Sequence, residues 1–309
     1  MISFIVIGKN EGWRLEQCLS SIRHTVNADK ISQYEIIYVD SQSTDDSLSI
    51  AANSEHTQIL LLTGECNAAI ARNIGAKEAK GDILFFIDGD MELLPGFLQK
   101  VLANDKLVYP FLSGIFDDIV YDTEWNYLYT TRRHQLKEGD ADSFSATTGG
   151  LFLITKELWE KVGGMDNRLK RSQDYDLGLR LTKMGYPLCR KTIVAAKHYM
   201  VAYTLRRDYV KNMKYTALLL RKHWNNRQYW SIICKSRYTS MAFLLVLLIV
   251  WWWQPIIVLW IILLLYKTLR TKTLSVSTFF RLIACDFSFL GALLCYWPKQ
   301  PIINYVKVE

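Results

Sequence analysis

Two carboxylates two residues apart, Asp88-Gly89-Asp90, close the apolar run Ile83–Ile87. Alternate residues of a strand project the same way, so both carboxylates face the open end of a strand, where hard oxygens suit Mg²⁺ or Mn²⁺. An ion held there can bridge a diphosphate. Taken alone, Asp-Gly-Asp is equally what a turn after a strand contains. Asp40 ends another apolar run in Val39-Asp40-Ser41-Gln42-Ser43-Thr44-Asp45. A carboxylate flanked by hydroxyls can hydrogen-bond a base or ribose, and it can equally cap a helix. Asp174 opens a helical stretch, where an N-cap role is compatible with proton transfer only if the side chain reaches a substrate. His198, read by itself, is an ordinary histidine.

The elements that must position these groups follow from periodicity. Short β-branched apolar runs (Ile2–Ile7, Tyr34–Val39, Thr57–Leu62, Ile83–Ile87) alternate with helical patterns (Trp13–Val26, Asp45–Asn53, Asn67–Lys80). This is the signature of an α/β domain, a mostly parallel sheet covered by helices. Ligands of such sheets bind outside the carboxyl ends of the strands, so Gly8–Glu11, Asp40–Ser43 and Asp88–Asp90 are expected at one edge. Beyond Pro95 a helix over Gly96–Ala103 leads to Leu107–Phe116, and Asp117–Asp142 reads as irregular or lid material. Thr155 caps a helix stopped by Gly163-Gly164, and Asp174–Met184 forms another.

In order along the chain stand an opening strand with Asn10-Glu11, the Val-Asp-Ser-x-Ser-Thr-Asp segment, Ala71-Arg72-Asn73-Ile74-Gly75 before the Asp-x-Asp, and Gly163-Gly164-Met165-Asp166 leading into Gln173-Asp174-Tyr175-Asp176-Leu177. This ordered set, over roughly Ile2–His198, resembles the family 2 glycosyltransferases of the A-type, Rossmann-like fold. The resemblance implies an inverting transfer of a sugar from a UDP- or GDP-linked nucleotide-sugar donor to an acceptor hydroxyl, non-processive because the chain lacks the motif of the family's processive synthases. It implies donor contacts at Asn10, Glu11, Asp40, Arg72 and Asp88. It also implies a Mn²⁺ or Mg²⁺ ligated by Asp90 and His198, with Asp174 as catalytic base. Gln173 departs from the acidic residue that relatives carry before the base. It keeps open the alternative of a membrane-bound scaffold that binds nucleotide-sugar without turnover. The Gln-x-x-Arg-Trp element of processive synthases is absent, since Arg227-Gln228-Tyr229-Trp230 has its ingredients in another order.

The chain carries 37 Lys and Arg against 30 Asp and Glu. Nine of the basic residues fall in Arg206–Arg237, with Asp208 the sole acid. Met241–Leu265 follows without one charged side chain, longer than the ~20 residues that span a bilayer. A second apolar stretch, Phe279–Trp297, is interrupted by Arg281 and Asp286. A basic segment abutting an apolar run points to anionic membrane lipid rather than nucleic acid. Three regions are therefore expected: a catalytic domain over 1–205, a basic amphipathic segment over 206–238 with a stripe of Tyr209, Met213, Ala217, Leu220 and Trp224, and a membrane region over 239–309. For the last, two spans with both termini inside are favoured over a hairpin turning at Trp251–Pro255. The location expected is the plasma (inner) membrane with the catalytic domain facing the cytoplasm, and the acceptor a lipid-linked or cell-envelope glycan. The first strand, Gly8-Lys9-Asn10-Glu11-Gly12 included, lacks a dinucleotide-binding glycine turn, which argues against an oxidoreductase or methyltransferase. Six scattered cysteines without paired spacing fit a reducing compartment.

Overall fold

Ile2–Gly8 (β1) is buried along its whole length, as the central strand of a sheet covered on both faces must be. The computed structural model describes residues 1–133, 136–145, 147–202, 209–270 and 275–308. The chain forms two units, Met1–Arg206 with Gln300–Glu309, and Arg207–Lys299.

In the first unit, α1 (Trp13–Ala28), β2 (Tyr34–Asp40), α2 (Ser47–Ala52), β3 (Thr57–Leu62), α3 (Ala68–Glu78) and β4 (Ile83–Asp88) follow β1 in the expected alternation. β4, β1, β2 and β3 are adjacent and parallel. The loops after their carboxyl ends therefore share one edge, with Gly8 in register with Asp40 and Ile7 with Asp88. Two apolar clusters fill the faces of the sheet, one under α1 and one under α3.

The remaining strands make the sheet mixed where a mostly parallel one is expected. β5 (Met91–Leu93), α4 (Phe97–Val101), β6 (Leu102–Ala103) and β7 (Lys106–Leu107) lead to β8 (Phe111–Tyr121), β9 (Tyr127–Arg132), β10 (Ser143–Ser145) and β11 (Phe152–Thr155). After α5 (Lys156–Val162) and α6 (Gln173–Lys183), the long β12 (Leu188–Val201) runs parallel to β8. β11 is antiparallel to both β4 and β8, because it enters without a crossover helix. The stretch from Asp117, expected as irregular, begins as the β8–β9 hairpin. Arg132 pairs with Asp117 and Arg133 with Asp118 at 3.0 Å, holding its ladder.

The C-terminal end corrects the domain boundary. Tyr305–Val308 (β13), expected within the membrane region, pairs antiparallel with β3 and covers the sheet's outer edge. Tyr305 donates to Glu78 at 2.6 Å, and Lys307 pairs with the same carboxylate at 2.6 Å.

In the second unit the amphipathic segment expected over 206–238 holds two helices, α7 (Tyr209–Lys222) and α8 (Arg227–Ser236). The Asn226 side chain caps the second and so separates them. Met213, Ala217 and Leu220 are buried as the stripe requires, whereas Trp224 lies past the helix end and is exposed. Arg206, Arg207, Asp208, Lys272 and the side chain of Tyr209 fall outside the described residues. The uncharged run Met241–Leu265 is not one helix: α9 (Tyr238–Ile249) and α10 (Ile256–Leu269) are separated at Val250–Pro255. Pro255 cannot donate to the helical ladder and its ring crowds the carbonyl one turn back, so the helix breaks there. α11 (Val276–Cys295) is the one described helix that is by itself long and apolar enough to cross a membrane.

Candidate active site

The C-terminal ends of β1 and β4 and the loop after β2 line a cavity of about 360 Å³ bounded by Gly8, Glu11, Ser41, Asn67, Asp88 and Asp90 among others. Asp88 ends β4, and its Oδ1 receives the Arg72 guanidinium of α3 at 2.5 Å. Arg72 is buried, so this pair is shielded from screening. Burial raises the Asp88 pKa, and Arg72 opposes that shift. Gly150 packs so closely that a Cβ there would lie 2.4 Å from Asp88 Oδ2.

Asp90 stands on the turn into β5, opposite β12. Its Oδ2 lies 3.5 Å from His198 Nε2 and 3.8 Å from the Arg14 guanidinium. Its Oδ1 is buried without a hydrogen-bond partner, which a buried carboxylate oxygen rarely is. His198 Nδ1 is 2.7 Å from Asp118 Oδ1. Burial alone would lower the His198 pKa, but Asp90 and Asp118 outweigh it and push it up to about 10. Burial likewise opposes ionisation of Asp90, yet His198 holds its pKa below the ordinary carboxylate value. Glu11 is pushed up to about 7 by burial and by Asp90, although Arg14 sits 2.6 Å away.

The residues fit a divalent ion. Asp90 offers a free oxygen beside an imidazole whose other nitrogen is oriented by a carboxylate, the usual arrangement behind a metal-ligating histidine. Among the described residues no group of three or more acidic, His or Cys side chains forms a complete cage. A two-residue set matches metals that arrive with substrate phosphates as their remaining ligands.

Asn10 and Asp40 are placed differently. Asn10 has a left-handed backbone, φ 57°, and its side chain accepts from Thr44 N at 2.8 Å. It thereby ties the loop after β1 to the loop after β2. Asp40 is fully buried, accepting from Tyr38 Oη at 2.8 Å and Ser43 N at 2.7 Å. Both shape the strand-end loops around the cavity.

Asp174 lies in the first turn of α6. Burial raises its pKa, offset in part by the amides of Tyr175 and Gly149 and by the charge of Arg72. The preceding loop is tied to α3 by Asn73, which donates to Met165 O at 2.8 Å and to Asn167 Oδ1 at 2.7 Å and accepts from Met165 N at 2.9 Å. The side chain of Gln173 leaves its buried Oε1 without a partner.

Three contributors were not legible as site residues: Arg14, Asp118 and Gly150. Asp118 lies in the stretch read as irregular, although an acid pair closing the apolar Phe111–Phe116 run is a visible signal. Arg14 bridges Glu11 and Asp90, and its guanidinium covers the Trp125 ring at 4.7 Å.

Comparison with known proteins identifies the family and the fold. The family model described as glycosyl transferase family 2 matches residues 3–159. An uncharacterized glycosyltransferase of Haemophilus influenzae is 28% identical over 188 residues, covering 59% of this chain and 62% of the relative. Glycosyltransferase AglE of Haloferax volcanii is 28% identical over 203 residues, covering 60% and 63%. The match therefore spans about three-fifths of the length of these relatives. The crystal structure of GalNAc-T7 with UDP, GalNAc and Mn²⁺ superposes with a TM-score of 0.59 at 17% identity, over 78% of this chain and 51% of that one, a likeness of A-type fold.

Proposed function

The chain belongs to glycosyl transferase family 2, and from that premise we propose that it is a metal-dependent, inverting, membrane-attached transferase of single sugars. Its donor is a UDP- or GDP-sugar, and its acceptor is a hydroxyl on a lipid-linked or envelope glycan. The observation that carries this reading is the unpartnered buried oxygen of Asp90 beside His198, at the rim of the cavity that Asp88 also lines. That GalNAc-T7 was crystallised with UDP and Mn²⁺ supports the same assignment of metal and donor class.

In this reading the loops shaped by Asn10 and Asp40 receive the nucleoside, with Glu11 at its margin. Arg72, held by Asp88, orients toward the diphosphate and balances its charge. Asp90 and His198 hold Mn²⁺ or Mg²⁺, which supplies Lewis-acid stabilisation of the departing nucleoside diphosphate when bound. Asp174 accepts the acceptor's hydroxyl proton as the new glycosidic bond forms, since a neutral hydroxyl is a weak nucleophile. One displacement by one base inverts the anomeric centre. The apolar second unit and the basic residues of α7 and α8 attach the chain to lipid, with the catalytic unit on the cytoplasmic side. Nucleic acid has no part in this reading.

The test is nucleoside-diphosphate release by detergent-purified protein across UDP- and GDP-sugars, with Mn²⁺ or Mg²⁺ and membrane lipid extract. Metal-dependent release from one donor, lost in Asp90→Asn and in Asp174→Asn, is expected. Donor binding with no release from any donor would replace the transferase with a nucleotide-sugar-binding scaffold.

A further inference from the structure

Both ends of the second unit are tied to one folded body. The chain leaves the catalytic unit after Arg206 and rejoins it at Gln300, and β13 is built into the same sheet as β1 to β4. A sheet cannot be divided by a bilayer, so 207–299 begins and ends on one face of any membrane it enters. The number of crossings within it is therefore even.

The apolar run is a hairpin that returns. Lys267, near the end of α10, donates to Thr239 at the start of α9 at 3.4 Å and lies over the Tyr238 ring at 4.9 Å. Farther along, Phe243 packs on Trp260 with ring centroids 4.7 Å apart. A hairpin contributes either no crossing or two, which leaves α11 unable to cross alone despite its length. α11 is held accordingly. Asp286, midway along it, is buried and accepts from Ser240 at 2.7 Å and Trp260 at 3.0 Å. Ser288 donates to Val210 O and Arg221 to Leu293 O, fastening its C-terminal half along the basic helix α7.

Helix length decides between none and two. The 12 residues of α9 and 14 of α10 rise about 18 and 21 Å, short of a hydrocarbon core of about 30 Å. α8 meets α9 at 97°, the geometry of a helix lying in the interface followed by one that plunges from it. The tip carries Trp251 and Trp252, each 90% exposed, and the flanks expose Leu248 and Ile262. These apolar surfaces have acyl chains as their matching solvent.

We propose that segment 207–299 is a monotopic insert, in which the α9–α10 hairpin dips into the near leaflet and returns while α11 stays at its base. The inference rests on the membrane-attached reading above. It is tested with the full chain in an expressing bacterium, using Trp252→Cys and, separately, Gln254→Cys. Carbonate washing of membranes tests attachment itself: release of the wild-type chain would remove that reading, independently of topology. With the chain retained, spheroplasts are treated with a membrane-impermeant maleimide, and SDS-denatured samples give full labelling. No labelling above wild type at either position is expected. Labelling of either cysteine from outside would establish a two-crossing hairpin and overturn the monotopic insert.

Discussion

Asp174 and Asp118 do different work in the proposed reaction, and their substitutions separate. A base acts only when deprotonated, and burial lifts Asp174 above its usual 3.8. The rate should therefore fall as pH drops through that raised value, placing the acid limb of kcat above the ordinary carboxylate range. Asp174→Asn should lower kcat about 10²- to 10⁴-fold and abolish that limb in whatever activity remains. A pH–rate profile of both proteins checks this, and an acid limb that persists in the variant would transfer the role to another group. Asp118 touches His198 rather than substrate. Asp118→Asn should weaken Mn²⁺ about 10- to 100-fold, as loss of a carboxylate orienting a metal-bound imidazole does. Mn²⁺ titration of donor binding measures it, and unchanged metal dependence would leave Asp118 a purely structural partner of Arg133.

At the scale of elements, α3 is the hub. Its Arg72 faces the cavity through Asp88, and one residue later Asn73 holds the loop from Gly164 to Asn167. The motif Ala-Arg-Asn-x-Gly thus joins Asp88 at the cavity to the segment preceding Asp174. Gly75 completes it, since a Cβ there would lie 2.3 Å from Ile5 on the central strand. Asn73→Ala removes three hydrogen bonds, at about 1 kcal/mol each, and leaves the Met165 amide unpaired. A loss of about 2–3 kcal/mol is expected, read as a lower melting temperature, together with reduced kcat from a displaced α6. A variant that melts like wild type and turns over normally would show that the loop is held by other contacts, such as that of Asn67 with Asn167 O.

For the whole molecule, the return of the chain to the sheet has a consequence for any attempt to isolate the catalytic unit. Residues 1–205 alone lack β13, so β3 would present an unpaired apolar edge. Such a chain should melt lower and scatter light on warming, whereas 1–205 joined to 300–309 through a flexible linker should recover stability. Equal melting of the two would mean that β13 contributes nothing to the sheet.

What was determined by the sequence alone is what local chemistry encodes. Period-two and period-3.6 apolar patterns place β1 to β4 and α1 to α3 within a residue or two, because burial on a sheet or helix face acts through near neighbours. Asp88 and Asp90 were legible because they stand two residues apart on one strand end. Tertiary structure decided the rest. His198 is 80 residues from Asp118, and only the parallel pairing of β12 with β8 makes them neighbours. Asp40 is bound within its own strand and loop and Asn10 ties that loop to the one after β1, bonds that composition does not distinguish from presentation to a ligand. The run Met241–Leu265 has one composition whether it forms a single long helix or folds back, since uniformly apolar residues do not say which helix packs on which. The contact of Lys267 with Thr239, and the pairing of β13 with β3, chose the form that returns.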